Sequence, residues 1–358
     1  MDNSSLMNRE NKKRQLRRQI VPPRYQTEEE SEQAIRNAHK KTVRKRLAVL
    51  AVVAVLLGGI YYYDRYHSFY DYQVVWEKSL AEENQEAAVK GEGSFCEYVD
   101  FGDGVIKYTK DGASYIDGRG KTIWIQSYEM KSPFVSVNGE FAAIGDKQGN
   151  SIYICDRSGC QGQATTALPI LSLSVSAKGV VASVQEDSKA SYIYLYKKDG
   201  SALDIYVKSL LSGDGYPVDV SLSPGGTQWI TSFMYLDQGM IKNKIVFYNF
   251  GLGKNDPKRV VGVFLPEDLS DAMAGRVRFM DESHAVIFTD KGLQFFSTRV
   301  ETSPESVNQI LLDENVRSIS YTDKYAGVIT DNGEGADPYC LRVCRPDGSQ
   351  VFETTFSY

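Results

Sequence analysis

SIYICDRSG (151–159), SYIYLYKKDG (191–200) and YCLRVCRPDG (339–348) are three versions of one phrase. Each alternates apolar and polar side chains, the period of a strand with one face toward a core. Each then passes an aspartate and closes on glycine. The Asp carboxylate can accept backbone N–H groups just ahead of it, and Gly supplies the positive φ of a tight hairpin. ASYIDGRG (113–120) is a weaker copy.

A second phrase precedes the first. ILSLSVSAKGVVASV (170–184) and PVDVSLSPGGTQWITSF (217–233) each join two apolar strands through a small turn, with SVSAKG and SLSPGG 47 residues apart. PFVSVNGEFAAIGD (133–146), RVRFMDESHAVIFTD (276–290) and VRSISYTDKYAGVITD (316–331) are related. First strands near Cys96, Phe134, Ile170, Val218, Arg276 and Val316 are spaced 38, 36, 48, 58 and 40 residues apart. A four-stranded propeller blade takes about 40–50 residues. The pattern therefore predicts an all-β domain over 94–358, a β-propeller of about six visible blades, with a pair of β-sandwiches as the alternative. The spacing of 58 contains PEDLSDAMAG (266–275), read as a loop insertion. The last strand, QVFETTFSY, leaves no segment to complete the first blade, so the reading expects a C-terminally truncated chain and a seventh blade in the whole protein.

Charge divides the chain in a different place. Residues 1–46 hold 13 Lys/Arg and 6 Asp/Glu, net +7, and residues 64–358 hold 28 and 40, net −12. Between them LAVLAVVAVLLGGIYYY (47–63) has no charge, and its 17 residues make about 26 Å of helix, enough to span a bilayer with help from its flanks. Arg44, Lys45 and Arg46 stand at one interface and Tyr61, Tyr62 and Tyr63 at the other. Basic residues precede the span, so the N-terminus is expected in the cytoplasm of a single-pass cell-membrane protein. Bulky aromatics where a small-residue cleavage site belongs argue for an uncleaved signal anchor. Residues 1–46 are expected to be a mostly disordered basic tail, helical from Glu28 into the span, and 64–93 a juxtamembrane connector. The basic footprint of nucleic-acid binding is missing from the large domain.

The search for chemistry returns little. Of three histidines only His284 lies in the domain, in DESHAVIF at the start of a strand, where an exposed structural role is expected. No GxSxG, phosphate-binding glycine loop or zinc spacing is present. DNGEGADPY (331–339) lacks the ligand spacing of an EF-hand and reads as a turn. GKTIW (120–124) is similar to the Gly-to-Trp spacing of quinone-cofactor propellers, but it occurs once, so Trp124 is read as packing. No catalytic residue, metal site or cofactor is assigned. Among five cysteines, Cys340 and Cys344 lie too far apart along one strand to bond, whereas Cys155 and Cys160 flank a four-residue turn at bridging distance. A disulfide between Cys155 and Cys160 is a candidate, set against the reading of two free small core thiols.

IWIQSYEMKSPFVSV (123–137), GYPVDVSLSPGGT (215–227), KIVFYNFG (244–251) and the basic leader with its span resemble a bacterial family of membrane-anchored, β-propeller-like proteins in low-GC Gram-positive anaerobes, a domain of unknown function. The resemblance implies an extracytoplasmic propeller of seven blades or a similar number, and members look longer at the C-terminus. It implies no activity, and no functional residue is carried over. SPGG stands here where such proteins tend to have SPDG. The expected function is a non-enzymatic binding or scaffolding module for an envelope protein, peptide or polymer, with a basic partner favoured by the −12 domain. A carboxylate-dependent glycan hydrolase or lyase, and a transmembrane signalling component, are the alternatives.

Overall fold

The computed structural model describes residues 11–12, 28–67, 95–251, 259–265, 269, 272–333 and 337–357. They form two compact units, residues 1–74 and 75–358.

In the first unit one helix, Glu28–His67, runs without a break from the basic leader through the apolar stretch. Its segment His39–Tyr63 is long and apolar enough to cross a membrane. Leu50, Val55 and Ile60 on this helix are exposed. The helix continues past Tyr63, so its end lies slightly inside the segment read as connector. The remainder of that connector and most of the tail read as disordered lie outside the described residues.

The second unit is a β-propeller. Six sheets of four antiparallel strands follow one another along the chain, each strand paired with its sequence neighbours. The first strands of the six blades are Cys96–Phe101, Pro133–Asn138, Ile170–Val175, Tyr216–Leu222, Arg276–Phe279 and Val316–Tyr321. They start within two residues of the positions predicted from the repeat. From blade 1 to blade 5 each first strand approaches that of the next blade, which makes these the inner strands.

Alternation explains the blades. In blade 3 both faces of Val181–Glu186 are buried, because blades 2 and 4 flank it. Each joint has its own apolar core. Phe101, Tyr115 and Ile144 fill the one between blades 1 and 2, Ile154 and Leu173 that between 2 and 3, and Trp229, Leu195 and Val220 that between 3 and 4. Phe247 with Phe296 joins blades 4 and 5, and Phe288 with Val328 joins 5 and 6.

The repeated turn has the expected chemistry in every copy. Asp117, Asp156, Asp199 and Asp347 each accept the backbone N–H of the residue two ahead. Gly120, Gly159, Gly200 and Gly348 all have positive φ. Blade 4 departs from the pattern. Its central hairpin, Gln228–Asp237 and Met240–Asn249, has strands of 10 residues where most are 6, so the long spacing there is shared between the insertion and an extended ribbon.

Candidate functional site: the mouth of the channel

The inner strands are fastened by a belt of serines. Val175 N–H of blade 3 donates to Ser136 Oγ of blade 2 (3.1 Å), Leu222 N–H to Ser174 Oγ (2.8 Å), and Phe279 N–H to Ser221 Oγ (2.9 Å). In blades 2, 3 and 4 the same serine thus takes a backbone donor of the next blade, which a buried N–H requires. This is what the S in SVSAKG and SLSPGG is for.

In blade 5 the belt position is Arg278. Its guanidinium crosses to Asp219 of blade 4 at 2.9 Å and to the Val277 carbonyl at 2.6 Å, and lies 4.9 Å from the ring centre of Tyr321 on blade 6. Asp219, 3% exposed, also accepts the Ser172 hydroxyl of blade 3 (2.8 Å) and the Val277 N–H (3.0 Å), with Arg276 3.8 Å away. One carboxylate therefore gathers blades 3, 4 and 5, and Arg278 extends the link to blade 6. Burial opposes the Arg278 charge, but Asp219 and then Tyr321 outweigh it and hold its pKa above the ordinary guanidinium value.

Above this hub residues of all six blades line a cavity of about 580 Å³, among them Gly102, Gly139, Val175, Pro224, Arg278 and Tyr321. Asp281, Glu282 and Asp323 supply three further carboxylates to its wall. Asp281 is held by the Ser283 N–H (2.7 Å) and by His284 Nδ1 (2.8 Å). His284 is largely covered, not exposed as the sequence suggested. Its Nδ1 is committed to Asp281, and among the described residues no Ser, Thr or Cys hydrogen-bonds its other nitrogen. Glu282 and Asp323 are exposed at the rim. With Arg278 paired to Asp219, the remaining side-chain charge on the cavity wall is acidic, which favours ammonium or guanidinium groups. Among the described residues no cluster of His, Cys, Asp and Glu could hold a metal ion.

A larger open groove, about 850 Å³, lies on the outer rim between blades 3 and 4, over Phe233, Lys244, Val246 and Tyr248. It draws on two blades only.

The other sequence-nominated residues lie elsewhere. Arg44, Lys45 and Arg46 lie within the candidate span segment and Tyr61, Tyr62 and Tyr63 at its far end. Trp124 packs as expected, its Nε1 donating to the Asp156 carbonyl at 3.0 Å. Cys155 and Cys160 face each other across the blade 2 hairpin, and the structure holds them as thiols. Sequence reasoning missed Asp219 and Arg278. The available signal was the alignment of RVRF (276–279) with SLSV (172–175) and DVSL (219–222), which puts Arg278 where a serine recurs.

A family of unknown function, DUF5711, matches residues 65–358. The chain belongs to the DUF5711 family. The match takes in the whole propeller. A search of the curated proteins returns no match to this DUF5711 chain. Among solved structures, KlAtg21 in its complex with the coiled coil of AgAtg16 shares 12% identity and a TM-score of 0.52, covering 71% of this chain and 82% of that one. The Cps50 (Swd1) β-propeller domain of Myceliophteria thermophila is similar at 10% identity and a TM-score of 0.47, over 72% and 88%. BamB from Moraxella catarrhalis follows at 14% and 0.44, over 73% and 76%. At these identities the likeness concerns the fold alone.

Proposed function

We propose that this DUF5711 chain is a single-pass, membrane-anchored propeller that binds or scaffolds a basic envelope protein or peptide at the mouth of its channel, with no chemistry of its own. The observation that carries this reading is the mouth: residues of six blades line it, and Asp281, Glu282 and Asp323 share its wall with an arginine already paired to Asp219. In this reading residues 1–46 are a cytoplasmic tail, 47–63 cross the bilayer, 64–93 connect and 94–358 stand outside. The basic run before the uncharged residues 47–63 supports that direction. The complex of KlAtg21 with a coiled coil is an instance of this fold bound to a protein, and agrees with a partner of that class.

The test is affinity capture from crosslinked membranes with the wild-type chain and with Glu282→Gln/Asp323→Gln. A specific partner held by wild type at ordinary salt, and recovered at least about tenfold less well by the double variant, supports the reading. Equal recovery by both would sink it.

A further inference from the structure

Cys155 ends the strand Ser151–Asp156 and Cys160 stands near the start of Gly159–Thr165, directly opposite it in the register. Opposed residues of an antiparallel pair project from one face with Cβ atoms about 4.5–5.5 Å apart, close to what a disulfide spans. Their exposures differ completely. Cys155 is 0% exposed and packs with Tyr128 and Ile144 in the core between blades 1 and 2, whereas Cys160 is exposed. The hairpin is held at that joint, because the Trp124 indole N–H of blade 1 bonds the Asp156 carbonyl beside Cys155.

An exposed thiol with a buried one in register behind it is the arrangement of an attacking and a resolving cysteine. We propose that Cys160 and Cys155 are a redox-reactive pair that takes low-molecular-weight or protein disulfides as oxidants. The Cys160 thiolate attacks one sulfur of the oxidant, forming a mixed disulfide and releasing one thiolate. Cys155 then gives up its proton and attacks Cys160 Sγ, forming the intrachain disulfide and expelling the second thiolate. Two protein thiols are oxidised, and one disulfide is reduced to two thiols.

The electrostatics agree with these roles. The hydrogen bond from the Cys155 thiol brings Cys160 down to about 6, and that same bond, followed by burial, pushes Cys155 far up. These directions favour thiolate character at the exposed sulfur over the buried one. Cys340 and Cys344 are buried with their pKa values raised by burial, and neither has a cysteine opposite it in the register. The pair is independent of the mouth and of whatever binds there.

The full chain in detergent micelles is equilibrated in graded mixtures of reduced and oxidised glutathione, quenched in acid and digested with trypsin without reduction. Trypsin cuts after Arg157, between the two cysteines, so a disulfide joins peptides 148–157 and 158–178. Wild type is expected to give that linked pair. Cys155→Ala is expected to stop at a glutathione adduct on Cys160, and Cys160→Ser, a change at the surface, to yield neither product. Alkylation of Cys160 in the reduced chain is expected to rise with a midpoint near pH 6, moving up toward the ordinary thiol value of about 8.5 in Cys155→Ala. Recovery of Cys155 and Cys160 as free thiols in the most oxidising buffer overturns the proposal. So does equal glutathione uptake at Cys96, or an alkylation midpoint that Cys155→Ala leaves in place.

Discussion

Arg278 and Asp219 show how one substitution in a repeat changes the molecule. Ser174 and Ser221 each satisfy a single N–H, whereas Arg278 at the same place binds a carboxylate two blades' contacts deep and a ring on the next blade. A buried pair gives little net stability when intact but is costly to break, because the survivor remains buried and charged. Asp219→Ala is therefore expected to cost about 3–5 kcal/mol in denaturant unfolding, and Asp219→Ala with Arg278→Met distinctly less. Equal losses in the two would show that the charge left behind is not what matters. The turn aspartates act in the opposite regime, at the surface. Hydrogen bonds from the Ser201 and Ser349 hydroxyls, then their N–H groups, hold Asp199 and Asp347 below the usual carboxylate range. A depressed folded-state pKa contributes stability above the unfolded value, about 3.9, and loses it as pH falls through the folded value. The fall in unfolding midpoint below about pH 4 is thus expected to be shallower in Asp347→Ala than in wild type, measured at pH 6, 4 and 3.

Between blades the decisive contacts are backbone ones. Removing Ser174 Oγ orphans the buried Leu222 N–H, and Ser174→Ala is expected to cost about 1–3 kcal/mol, against a few tenths for an exposed serine such as Ser188. Blade 2 meets blade 3 equally closely. A Cβ on Gly162 would stand 2.2 Å from the Asp199 carbonyl carbon, and one on Gly200, at φ +84°, would stand 2.1 Å from the Gln163 oxygen. Gly162→Ala and Gly200→Ala are therefore expected to lower the melting temperature, with Gly200→Ala the worse because its backbone is also left-handed. These elements differ in how far the sequence foretells them. Blade starts and Asp–Gly turns are local, repeated and set by period and φ, so they stand in the residues directly. The Cys155–Cys160 juxtaposition is legible for the same reason, being one tight hairpin. The bond from Asp219 to Arg278 joins residues 59 apart on separate blades, and no local periodicity encodes it. The long ribbon of blade 4 was hidden because its extra length resembled a loop.

At the scale of the whole molecule the basic residues 1–46 fall in the unit that holds the helix, and most of the acidic segment 64–358 falls in the propeller unit. If the helix crosses the bilayer in the direction its basic flank favours, protease added to spheroplasts is expected to digest the propeller while the tail before Arg44 stays protected. Digestion of the tail with the propeller intact would reverse the topology. The mouth is where the two scales meet, since the repeat builds the ring and the break in the repeat at Arg278 furnishes its floor. The most direct test of a binding mouth is site-specific photocrosslinking in intact cells, with the reactive residue at Asn138 in the mouth or at Ile125 on the outer strand of blade 1. A binding mouth predicts one specific protein adduct from position 138, weakened by Glu282→Gln/Asp323→Gln and missing from position 125. The same adduct from both positions, or one from position 125 alone, would contradict it.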